Sequence, residues 1–169
     1  MPISLHDAFV PSCRQIIAAC QGLITKAEAH CAATGMAPAD LIAASLAPDM
    51  APLPFQVTMV YQHSFGAIEG VRAGRFSPNP ASPMADFGAF RAMLAEADAG
   101  LAAVTAEELE SFIGKPTIFA FGTVEMPFKA ENFLLSFSQP NFYFHASMAY
   151  ANLRSLGVEL GKMDFMGRS

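Results

Sequence analysis

Apolar and polar positions along most of this chain recur with the helical period. Ile16, Ile17, Cys20, Leu23, Ile24 and Ala27 fall at spacings that line one face of a helix. The pattern predicts a first helix over roughly residues 3–34. Ser4 and Asp7 open it as a capping box, and Pro11 is expected to kink it or split off its first turns. "MAPADLIAAS" predicts a short helix with Pro38 near its start. The prolines of "LAPDMAPLP", residues 46–54, predict a loop. A second helix is expected at about residues 55–73, with Val57, Val60, Ser64, Ile68 and Val71 on its buried stripe. "GRFSPNPASP", residues 74–83, is the longest break. A third helix follows over roughly residues 86–104, and Thr105 and Glu108 cap a short continuation.

The period then changes. In "TIFAFGTVEMPF", Gly122 separates two runs rich in β-branched and aromatic residues, which predicts a β-hairpin over residues 116–128. A fourth helix is expected at about residues 131–156, ended by Gly157. Residues 158–169 should form a packed arm with a frayed end. The fold class that follows is all-α: an antiparallel four-helix bundle with a small β-hairpin before the last helix, as a single domain over residues 1–169.

The fourth helix carries an anomaly. Between residues 132 and 153 there is no Asp, Glu, Lys or Arg. That length could span a bilayer, yet it holds Ser136, Ser138, Gln139, Asn141, His145, Ser147 and Asn152. Seven polar side chains would each need a partner in lipid, so a central helix enclosed by protein is the better reading. Glu131, Ser138, Asn141, His145 and Asn152 lie near one face. A buried polar line of this kind must be hydrogen-bonded or coordinate something.

Composition narrows the partners. The chain has 169 residues and a net charge of −5, with 53% apolar residues including 15 Phe and 10 Met. No basic stripe marks a nucleic-acid partner or an anionic membrane surface. The N-terminal stretch does not read as a secretory signal, so a cytoplasmic location is expected. Cys13, Cys20 and Cys31 are odd in number and lack CxxC spacing, which favours reduced, packed thiols over bridges.

Asn141 and His145, one turn apart, can present two donor atoms to one point, as helices do when they hold a metal. His63, mid-helix beside Gly66, Ala67 and Gly70, is the best third ligand. His30 and His6 have ordinary explanations at a helix end and in a first turn. The alternative for His145 is a core residue satisfied by a hydrogen bond. Asn141 follows Pro140, and its amide can mend backbone groups that the proline frees.

"PNFYFHASMAYANLRSLGVELGKMDF" together with "LAPDMAPLPFQV" resembles a bacterial family of unassigned function in the DinB/YfiT-like superfamily of metalloenzymes. The resemblance runs from "ISLHDAFVP" to "GKMDF". It implies a four-helix bundle, often dimeric, with one metal-binding histidine on the second helix and an HxxxH pair on the fourth. Laid on this chain, those positions are His63, Asn141 and His145, with Asn141 where the pair has its first histidine. A histidine is also expected where Ser136 stands.

Two functions follow. One is a hydrolase or thiol transferase that activates water or a thiol on a divalent metal, zinc or nickel. The other is a metal-free homodimeric bundle that binds a small apolar ligand or serves as an interaction module.

Overall fold

The computed structural model describes residues 3–79, 81 and 86–167. The Ser4 hydroxyl accepts the Asp7 backbone N–H and opens helix α1, Leu5–Thr34. Pro11 lies inside α1 without interrupting it. Gly35, at φ 77°, ends it by donating its N–H to the Cys31 carbonyl. Cys13, Cys20 and Cys31 are free and buried on this helix. Burial raises all three thiol pKa values, that of Cys20 to about 12. Such thiols are inert packing groups.

After the short α2 (Pro38–Ala43), the predicted second helix is two helices, α3 (Leu53–Gln62) and α4 (Phe65–Ala73). The break falls at His63 and Ser64. The Ser64 hydroxyl donates to the Val60 carbonyl at 2.6 Å and the Tyr61 carbonyl at 3.1 Å, and such back-bonding bends helices. Strand β1 (Arg75–Phe76) follows. It lies in the predicted break, of which residues 80, 82 and 83 are outside the described residues.

Asp86 caps α5 (Phe87–Ala102), and Thr105 caps α6 (Ala106–Glu110). The predicted hairpin is β2 (Pro116–Phe121) and β3 (Val124–Lys129). It belongs to a three-stranded sheet: β1 runs parallel to β2 with Phe76 opposite Phe119, and β2 runs antiparallel to β3.

The predicted fourth helix is continuous but not uniform. A single turn, α7 (Ala130–Asn132), leads into a π-helical segment, Phe133–Ser138, and then into α8 (Gln139–Ser155). Gly157, at φ 88°, closes it. The arm carries α9 (Lys162–Phe165), packed on α1 with Val158 and Leu160 buried. The predicted frayed end, residues 168–169, lies outside the described residues.

The molecule is mostly helical. Helix α1 packs on α5 and α8, and α3 packs on α8 and α5. Phe9, Phe90, Phe133 and Phe142 are fully buried between them. Among the described residues no helix is long and apolar enough to cross a membrane.

Candidate functional site

Two irregular points face each other across the α3–α8 interface. The helix break after α3 frees the His63 carbonyl, and the π segment delivers Ser138 opposite it. The Ser138 hydroxyl lies 3.2 Å from that carbonyl and 3.1 Å from His63 Nδ1. Two turns further along α8, and two turns back along α3, His145 Nδ1 lies 2.8 Å from Gln56 Oε1. Gln56 is itself anchored by donating Nε2 to the Ala51 carbonyl at 2.9 Å. These pairings run in opposite senses, so α3 and α8 are antiparallel.

The same pairings bring the two imidazoles together. Their ring centres are 6.0 Å apart and their planes differ by 9°. Phe76 and Phe137 flank His63, and Phe55 and Phe144 flank His145. Both histidines are buried. Burial lowers the His63 pKa to about 3, with a further push from His145, and lowers that of His145 to about 4. Both rings are therefore neutral at physiological pH. Among the described residues, each ring is hydrogen-bonded at Nδ1 and neither has a partner at Nε2.

His63 and His145 are thus brought together as the sequence suggested. Asn141 is half-buried, and its amide nitrogen donates to the Phe137 carbonyl at 2.7 Å. Pro140 frees the Ser136 carbonyl, four residues before it, so this bond does not mend the group that the proline leaves open. Glu131 accepts the Gly114 N–H at the far end of the helix. Ser138, His145 and Asn152, spaced by seven, are the buried members of the polar line. Neither side-chain atom of Asn152 has a partner among the described residues. His6 lies 3.5 Å from the Asp7 carboxylate, and His30 lies against Gly157. Sequence reasoning missed Gln56. Gln56 and His63 are seven apart, as are Ser138 and His145, a match visible only once the two helices are set side by side.

Metal coordination needs ring nitrogens that are unprotonated and unengaged, and among the described residues no group engages either Nε2 atom. The ring planes are nearly parallel, so an ion shared at zinc–nitrogen distances of about 2.0–2.1 Å would require both Nε2 atoms to turn toward one point. No group of three or more His, Cys, Asp or Glu side chains able to hold a metal occurs among the described residues. The donor set is two imidazoles, short of the three protein ligands usual in catalytic zinc sites.

Residues 5–166 match the family model described as "Domain of unknown function (DUF1993)". The chain belongs to the DUF1993 family. No curated protein matched it in sequence. Among solved structures, a DinB family member from Shewanella denitrificans superposes with a TM-score of 0.81 at 20% identity. The match covers 96% of this chain and 92% of that one. At that identity the likeness is one of fold, so this DUF1993 protein has a DinB-like fold.

Proposed function

We propose that α1, α3–α4, α5 and α8 form an antiparallel four-helix bundle whose working centre is the His63–His145 pair, and that this pair holds a divalent metal, zinc or nickel. One observation carries the reading: two buried, neutral imidazoles 6.0 Å apart, each hydrogen-bonded at Nδ1 and, among the described residues, without a partner at Nε2. A bare ring nitrogen carries a lone pair that a cation can accept. Neutrality also removes the proton as a competitor until the solution is well below pH 6.

With two protein ligands, the remaining positions belong to water or substrate. A metal there would lower the pKa of a bound water or thiol, which suits the hydrolase or thiol-transferase class. Asn141 contributes little, since amide oxygen is a weak ligand for zinc or nickel. Zinc or nickel titrated calorimetrically into untagged protein should bind at one site per chain with modest affinity. His63→Ala and His145→Ala should each weaken that binding at least tenfold while the helical spectrum survives. Wild-type protein that takes up neither metal would end the metal reading.

The shortage of ligands favours a second reading. Without metal, the same aromatic-lined site would receive a small, largely apolar ligand bearing a hydrogen-bond donor. We also propose that the protein is a homodimer, on the apolar outer face of α8.

A further inference from the structure

We infer that Gln56 and Ser138 are positioning residues: each accepts the Nδ1 proton of one imidazole, which turns both Nε2 atoms into acceptors and makes the site selective for cations or N–H and O–H donors over anions. The inference rests on the reading of His63 and His145 as the working centre, and it fixes the chemistry such a centre can accept.

The proton positions follow from groups that have no choice. The Ala51 carbonyl can only accept, so the Gln56 group 2.9 Å from it is the NH2. The amide oxygen is then the atom 2.8 Å from His145 Nδ1. An oxygen without a proton requires Nδ1–H on the ring, and a neutral imidazole then has its lone pair at Nε2.

The same logic holds at the other end. The Ser138 hydroxyl has one proton and two neighbours, the His63 carbonyl at 3.2 Å and His63 Nδ1 at 3.1 Å. The carbonyl can only accept. If the hydroxyl donates to it, the oxygen still accepts from Nδ1–H, and all three groups are satisfied. If the hydroxyl donated to Nδ1 instead, that carbonyl would lose this donor within a buried contact. The first arrangement wins by one hydrogen bond.

Two histidines on different helices therefore present the same face, through different partners. Ring nitrogens held this way are oriented as the outer partners of metal-bound histidines orient theirs. An approaching carboxylate or phosphate would meet two lone pairs and no proton. A metal ion, an ammonium or a hydroxyl would meet two acceptors.

The test uses the full, metal-free chain labelled with nitrogen-15. A long-range proton–nitrogen correlation spectrum at neutral pH separates protonated from bare ring nitrogens. His63 and His145 are assigned through their proximity to Phe76 and Phe55. Both should show Nδ1–H and bare Nε2; Nε2–H on either ring overturns the inference. Gln56→Leu should convert His145 to a mixture of tautomers, leave His63 unchanged and weaken zinc binding on the order of 10–100-fold. Gln56→Glu, which retains an oxygen acceptor, should restore the His145 signature. Inorganic phosphate should move neither ring's signals, and a phosphate-dependent shift at both would overturn the selectivity. If the tautomers are as stated but zinc does not bind, the positioning roles stand and the metal reading falls.

Discussion

Gln56, His63, Ser138 and His145 form two crosswise pairs, and the cause is arithmetic: each helix repeats its face after seven residues, and α3 and α8 run in opposite directions. The consequence is a pair of histidines kept neutral by burial. Their pKa values lie below the ordinary histidine value, so the unfolded chain binds more protons wherever the pH is between folded and unfolded values. Stability is then full above about pH 6.5 and is lost as pH falls through that window. In the metal-free protein the loss should be on the order of 2–3 kcal/mol per ring by pH 4. The carboxylates with lowered pKa, Asp7, Glu108, Glu131 and Asp164, act at lower pH, below their ordinary values near 4. The interval from pH 6.5 to 5 therefore isolates the histidines. Urea denaturation across that interval should show falling stability, with a flatter slope in His63→Phe; a level profile would refute it. The two histidines were legible in the sequence because His145 sits in a polar line on an uncharged helix and His63 lies mid-segment beside small residues. Gln56 was not, because nothing in its own segment marks it until the partner helix is aligned beside it.

The helices of the fold follow the apolar period closely, and their caps at Ser4 and Thr105 fall where the sequence places them. The irregular elements do not follow it. The break at His63 arises from a serine back-bond, and the π segment leaves the apolar pattern helical on either side. Strand β1 has two residues and pairs with β2 some forty positions later, too short to show a period. These hidden elements are joined at Phe76, whose ring lies 5.4 Å from that of His63. Gly70 on α4 makes room for it. A Cβ there would stand 2.7 Å from the Phe76 Cβ and 3.2 Å from its Cα. The second contact is with backbone, so no rotamer change relieves it. Alanine normally favours a helix over glycine by about 1 kcal/mol, but the overlap should outweigh that. Gly70→Ala is expected to destabilise the protein by about 1–3 kcal/mol, measured by thermal or urea unfolding. An unchanged or raised stability would mean that β1 yields freely.

At the scale of the molecule, burial and exposure on α8 are at odds. Between residues 132 and 153 the helical segment carries no charge, yet Leu135 and Phe144 on it are exposed, Phe144 at 54%. An uncharged outward face is well suited to a second copy of itself. Sedimentation should therefore give twice the mass of the chain, and Phe144→Glu should give the monomer with its helical spectrum intact. A wild-type monomer at micromolar concentration would count against the dimer. The central claim, that His63 and His145 share a divalent ion, has a more direct test. Crystals of the untagged protein grown with zinc would be measured at the zinc absorption edge. The account predicts an anomalous peak between the two rings, about 2.0–2.1 Å from each Nε2. A map with no peak there, or with zinc only on surface carboxylates, would contradict it.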